Sequence, residues 1–376
     1  MPAEKSAHLG GLLTMRWPWQ RLVSSDRLVL SWSGQEAAYV LAHPGEDGGI
    51  QVLKAGVVQQ TADGLAGVLH QLEALGLKGL DLTLMLGIDQ YQLLQIDTPN
   101  VPPEELRSAA RYQVRDMLAA HVDDVTIDVI RVGDGRQQGA SHSFVVAANN
   151  TVIQSVTALA EALDCRLSVI DIQETAQRNL QSALARLDSV LDRANAALVL
   201  VPGQQAVLTI SANEELFYTR RFDVPEGFLI GQWGSVVTAP AAVDGFTPVQ
   251  EYVPSHSGGD ISLDSGFYGE ASSVASAAPA VAAQDDDKAQ RLVLEVQRSL
   301  DVWDRTWSNL PLNRLRVFAG ERSDELAQWL AGQLGQTVGV LEVSPVFAGL
   351  QALAPADLAL CFPLLGVLLR TDVAST

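Results

Sequence analysis

Two short stretches of this 376-residue chain echo each other. LVLSWSGQEA spans residues 28–37, and LVLVPGQQA, one residue shorter, spans 198–206. Each opens a run with the same order of expected elements, which constrains the fold more than any single motif does. In the first run, 28–30, 37–41 and 51–58 read as short strands separated by Gly-rich turns. A helix over 62–76 follows, with Leu65, Leu69, Leu72 and Leu75 at helical spacing and Gly76 as its stop. The segments LTLML (82–86) and YQLLQI (91–96) suggest a strand pair around GIDQ. A helix is expected from Pro102-Pro103 to about Ala120, with Glu104 and Glu105 favouring the positive end of its dipole. Strands at 125–132 and 143–148 around a Gly-rich hairpin come next, then helix 151–164, strand 166–172 and helix 173–188. The second run gives strands at 197–201, 205–211 and 215–222, helix 288–307, strand 314–319, helix 323–334, strand 338–343 and a last helix near 356–369.

Three antiparallel-looking strands followed by alternating helix and strand, twice, is the plan of a duplicated ribonuclease-H-like unit. The expected class is therefore α/β: an actin-like fold of two related lobes with mixed sheets. The first lobe covers 27–190, with 91–148 inserted as a subdomain, and the second covers 191–345. Residues 346–370 form a C-terminal helix expected to return to the first lobe, and 1–26 form a flexible N-terminal segment. Between Pro225 and Asp287 there is no Lys or Arg, while Ser, Ala, Gly, Pro and acids accumulate. Such a stretch lacks the apolar surface to offset its ordering entropy, so 225–287 reads as an acidic loop insertion.

Composition narrows the function. With 25 Lys+Arg against 44 Asp+Glu the formal charge is −19, which disfavours an open-ended nucleic-acid binder. Cys165 and Cys361 are too few for a disulfide framework or a structural zinc site. The longest apolar run, Leu358 to Leu369, falls short of a bilayer span and contains Pro363. The N-terminus has no signal-peptide pattern. Together these suggest a soluble, cytoplasmic protein. No histidine pair has the spacing of a helical metal site, and neither a Walker motif nor G-x-S-x-G occurs. Gly133, Gly135 and Gly139 fit a hairpin better than a dinucleotide loop, and Asp123, Asp124 and Asp128 fit a solvated strand edge better than a metal site.

Three segments carry a family resemblance: TPNVPPEELRSAARYQVRDML (98–118), LDCRLSVIDIQETAQRNL (163–180) and EVQRSLDVWDRTW (295–307). In that order and spacing they resemble PilM-type proteins, most closely the version serving mannose-sensitive hemagglutinin (MSHA) pilus biogenesis. The likeness runs from about residue 27 to 370, apart from the acidic loop. It implies a cytoplasmic scaffold of a type IV pilus assembly platform, peripheral to the inner membrane of a Gram-negative bacterium. Such a scaffold docks the cytoplasmic N-terminus of a PilN-like MSHA assembly protein and connects indirectly to the assembly ATPase. The resemblance also implies where a nucleotide would sit, and there the chain departs from the pattern. The Asp and Gly of the first phosphate turn fall on Ser31 and Ser33, and the following Lys falls on Ala38. The second turn (199–204) has Pro202 and Gly203 but no Asp, and the adenosine-side glycines shrink to Gly320 within AGE (319–321). A hydroxyl and a methyl cannot replace a magnesium ligand and a phosphate-facing ammonium. A pseudo-ATPase without cofactor is therefore expected, ATP binding being disfavoured.

The competing readings are an ATP-binding actin-like protein whose nucleotide gates its partner, and the cytoplasmic domain of a type II secretion platform protein. A small-molecule kinase on this fold would need the missing phosphate motifs. Candidate partner contacts are the stripe Arg107, Arg111, Arg115 and the N-terminal Trp17 and Trp19, which lie among arginines and leucines. A solvated helix face and a self-docked tail are the plainer readings of these features. Arg291, Arg298 and Arg305 form a second stripe, opposite a core face of Leu292, Val296, Leu300, Trp303 and Trp307.

Overall fold

A computed structural model describes residues 26–45, 49–132, 142–233 and 278–370. The first half contains β1 (Arg27–Trp32), β2 (Glu36–Pro44), β3 (Ile50–Gln59), α1 (Leu65–Ala74), β4 (Asp81–Met85), β5 (Tyr91–Asp97), α2 (Leu106–Val114), β6 (Val125–Arg131), β7 (His142–Asn149), α3 (Asn150–Ala162), β8 (Arg166–Asp171) and α4 (Gln173–Leu187). The second half contains β9 (Ala194–Val199), β10 (Ala206–Ala212), β11 (Glu215–Phe222), α5 (Ala278–Thr306), β12 (Leu312–Phe318), α6 (Ser323–Leu334), β13 (Val338–Val340), β14 (Phe347–Ala348) and α7 (Pro355–Leu368).

The duplication is real in three dimensions. In the first lobe the sheet order β3-β2-β1-β4-β8 joins an antiparallel meander to two parallel strands. In the second, β11-β10-β9-β12-β13 repeats that order and those directions. This is an actin-like architecture, two ribonuclease-H-like lobes of α/β class. The echoed sequences lie at the β1–β2 and β9–β10 hairpins. Each hairpin has its glycine in the left-handed region, Gly34 at φ 90° and Gly203 at φ 74°, where other side chains are strained. Short β14 was not expected; it pairs in parallel with β3 and extends the first sheet.

Helices α4 and α7 lie together between the lobes. Helix α4 presents Ala176, Leu180 and Leu184 to a core that includes Val29 and Val40 of one lobe and Ala197 and Val199 of the other. It also stitches polar groups across the junction. Gln177 Nε2 donates to the carbonyls of Ala197 (2.7 Å) and Val207 (3.1 Å). One turn on, Gln181 Nε2 donates to Asn195 (2.7 Å) and Thr209 (3.1 Å). Helix α7 is apolar on nearly every side and is buried against α4 and β1–β3, which explains the Leu358–Leu369 run. No helix among the described residues is long and apolar enough to cross a membrane.

Several expectations are corrected. Segments 82–86 and 91–96 are not paired strands. Both edges of β4 are taken by β1 and β8, so β5 crosses into a separate sheet of order β5-β7-β6. The helix expected over 102–120 is α-helical only from Leu106 to Val114, with single 3-10 turns at 103–105 and 115–117. The stretch without basic residues is not loop throughout. Residues 225–233 are described, with Phe228 and Trp233 buried and stacked at 5.1 Å, and α5 begins at Ala278, ten residues before the expected start. The rest of that stretch, 234–277, lies outside the described residues, as does 1–25.

Candidate functional site

The two glycine hairpins face each other across a cavity of about 360 Å³ between the lobes. Ser31, Ser33, Glu36 and Ala38 of the β1–β2 hairpin form one side, and Gly203, Gln204 and Gln205 of the β9–β10 hairpin form the other. The β4–β5 turn contributes Gly87, Ile88 and Asp89, and Gln173 enters from the first residue of α4. Val57, Met85 and the α7 residues Leu360, Pro363 and Leu364 supply apolar walls.

The first hairpin consumes its own donors. Ser33 Oγ accepts the backbone N–H groups of Gln35 (3.3 Å) and Glu36 (3.1 Å), while Ser33 N–H donates to the Glu36 carbonyl (3.1 Å). A phosphate cradle depends on such N–H groups pointing at the ligand, and here three of them are already bonded. The β4–β5 turn is closed as well. Gln90 Oε1 accepts Gly87 N–H (2.8 Å), and Gln90 Nε2 donates to the Trp32 carbonyl (2.7 Å). No Lys or Arg is among the lining residues, whereas Glu36 and Asp89 are. For magnesium ATP, which the resemblance implies, this lining is a poor fit: it offers the phosphates no Lys or Arg, and three N–H groups of the first hairpin are already bonded.

Gln173 is 2 % exposed, and its Nε2 has no hydrogen-bond partner, although its backbone N–H reaches Tyr91 Oη at 3.3 Å. Beside it a charged clamp joins the lobes. Glu174 is fully buried; its Oε1 accepts Arg221 Nε at 2.7 Å, and its Oε2 accepts the Tyr91 hydroxyl. Arg221 Nη1 also donates to the Ile88 carbonyl (2.6 Å), and its guanidinium lies 4.3 Å from the centre of the Tyr91 ring. Burial, then the Glu174 charge, hold the Tyr91 hydroxyl well above its ordinary range.

Of the residues singled out in the sequence, Ser31, Ser33, Ala38 and Gly203 are brought together at the cavity. Pro202 lies just outside it, lining a neighbouring groove of about 460 Å³ together with Phe228, Leu229 and Ile230. Gly320 is elsewhere, under α7: a Cβ built there would sit 3.2 Å from the Ala359 Cβ. The end of β12 beside it is covered by α7 too, with Phe318 and Phe362 stacked at 3.5 Å. The arginine stripe is engaged within its own subdomain. Arg107 pairs with Asp128 (2.9 Å), Arg115 with Asp116 (3.2 Å), and Arg111 bonds the Val122 carbonyl and Asp123 (3.3 Å). On α5, Leu292, Val296, Leu300 and Trp303 are buried, and Trp307 packs on Phe217 at 5.1 Å. Trp17 and Trp19 lie outside the described residues. No group of His, Cys, Asp and Glu suited to a metal occurs among the described residues. Sequence reasoning missed Gln173, Asp89 and the α7 wall. A polar QET at the head of an otherwise buried helix was the available signal for the first.

Neither a family model nor a curated protein matches the chain. Solved structures do. One is a PilM–PilN type IV pilus biogenesis complex, at TM-score 0.59 and 15% identity, covering 91% of this chain and 98% of that one. That likeness establishes the fold over nearly the whole length of both chains. More distant are the cytoplasmic domain of EpsL, an inner-membrane component of the Vibrio cholerae type II secretion system (TM-score 0.38, 16% identity, 55% and 74% covered), and a Bacteroides thetaiotaomicron protein with an actin-like ATPase fold and unknown function (TM-score 0.44, 8% identity, 90% and 97% covered).

Proposed function

We propose that this chain is a cytoplasmic docking scaffold of a type IV pilus assembly platform, an actin-like protein that does not turn over ATP. The fold shared with PilM along 98% of that chain supports the first half of the reading. The observation that carries the second half is the interlobe cavity: its phosphate-side donors are internally bonded, and its charged lining residues are both acids. Within this reading the chain is the MshI-type member, serving MSHA pilus biogenesis, as segments 98–118, 163–180 and 295–307 suggest. It binds the cytoplasmic N-terminus of a PilN-like inner-membrane protein and reaches the assembly ATPase through that complex, at the inner-membrane surface.

The test is capture of synthetic N-terminal cytoplasmic peptides of the neighbouring pilus inner-membrane proteins by the purified chain. Saturable binding of at least one is expected, and binding of none sinks the docking reading. Phosphate release from magnesium ATP is measured in parallel. A rate no greater than the buffer blank is expected, and a clear turnover would reinstate an ATPase.

A further inference from the structure

Helix α5 presents an outer face that the cleft does not use. From Lys288 to Thr306 it runs about five turns, roughly 28 Å. Leu292, Val296, Leu300 and Trp303 are buried on its inner face. The outer face carries a stripe at the three-and-four spacing of a helix–helix seam: Arg291, Leu294, Arg298, Asp301 and Arg305. All five are exposed, Leu294 by 50 %, and Val302 beside them is exposed by 43 %. We infer that this stripe is a self-association surface, taking a second copy of the chain in an antiparallel helix pair.

The order of charges carries the inference, because it is self-complementary. Positions 291 and 301 are symmetric about 296, and so are 294 and 298. A second α5 turned end for end about that point therefore sets its Asp301 level with Arg291 and its Arg298 level with Leu294. The two-fold axis repeats each contact, so the ion pair forms twice. Arg298 is already held by Glu295 at 3.1 Å, which leaves Arg291 as the cation for Asp301. Among the described residues, neither Arg291 nor Asp301 has an ion-pair partner within its own chain. At the axis the methylenes of Arg298 cover Leu294 of the other copy. Charge also selects a second copy over an anionic bilayer. Lipid headgroups would meet Asp301 and the exposed Asp304 on a chain of charge −19, whereas the antiparallel copy opposes Arg291 and Asp301 with the right sign. The inference is independent of the pilus reading, whose test is peptide capture.

A contact one helix wide belongs with the small interfaces, under about 1,200 Å², that hold transient pairs. Sedimentation equilibrium on the full chain, up to about 300 μM, is expected to show a reversible monomer–dimer equilibrium. Arg291→Asp sets acid against acid, and Asp301→Arg sets base against base. Each is expected to raise the dimer dissociation constant at least about tenfold, since each acts twice across the axis. The two substitutions combined restore opposite signs and are expected to return the constant to within about threefold of the parent's. Both positions are exposed, so the thermal unfolding temperature at low concentration should not move. A parent chain still monomeric at the highest concentration would overturn the inference, and its binding to phosphatidylglycerol vesicles would assign the stripe to lipid instead. So would a single variant that dimerises as the parent does, or a folded double variant that dimerises no better than the singles.

Discussion

Single residues in this protein show how burial, more than sequence neighbourhood, sets chemistry. Cys361 is fully buried on α7, its Sγ 3.3 Å from the Gly56 carbonyl, and burial pushes its thiol up to about 12. An unfolded thiol ionises near 8.5. The folded state therefore holds a proton that the unfolded state releases, so this contribution to stability is complete below about pH 8.5 and is lost as pH rises toward 12. Inside that window the loss approaches about 1.4 kcal/mol per pH unit. Urea unfolding at pH 7.5, 9 and 10 is expected to show that decline, and Cys361→Ala should flatten it. An unchanged slope in the variant would remove Cys361 as the cause. Cys165 is also raised by burial, so neither thiol is a ready nucleophile at neutral pH.

At the scale of elements, the pairing of α4 with α7 is the tightest joint. A Cβ built on Gly366 would lie 1.9 Å from the Ala176 carbonyl oxygen, and Asn179 Nδ2 donates to the Gly366 carbonyl at 3.1 Å. The backbones approach so closely that only hydrogen fits. Gly366→Ala should cost about 2–3 kcal/mol through forced separation of the two helices. A denaturation midpoint equal to that of the parent would show the crossing to be slack. Most elements were legible beforehand because their signals are local: leucine spacing in α1, the Pro-Pro entry before α2, strand-turn-strand glycines at both hairpins. The β4–β5 pairing was misread because adjacency in sequence suggested a hairpin, while β1 and β8 competed for the same edges. The start of α5 was misread because composition near 278–287 resembles a linker.

At the scale of the whole molecule, the lobes are held by α4, α7 and the clamp of Glu174, Arg221 and Tyr91. Glu174→Gln preserves shape but leaves the largely buried Arg221 guanidinium without its carboxylate. It should cost about 3 kcal/mol, measured by chemical denaturation, and pairing it with Arg221→Met should recover part of the loss. If the single variant unfolds at the parent's midpoint, the clamp contributes nothing to joining the lobes. The charge of −19 also changes meaning at this scale. The acids Glu36 and Asp89 line the cleft itself, whereas Arg107 and Arg111 of α2, and Arg115 just beyond it, pair with Asp128, Asp123 and Asp116.

The sequence by itself determined the duplication, the order of most elements and the presence of Ser31, Ser33 and Ala38 around the first hairpin. Each is written in contiguous residues through periodicity, turn chemistry and side-chain type. Only the tertiary structure decided what the cleft is made of. Gln173, Asp89 and Leu364 come from three separate segments, and nothing local marks them as neighbours. Their meeting depends on how two lobes close around α4 and α7, a contest among non-local contacts that no short stretch of chain records.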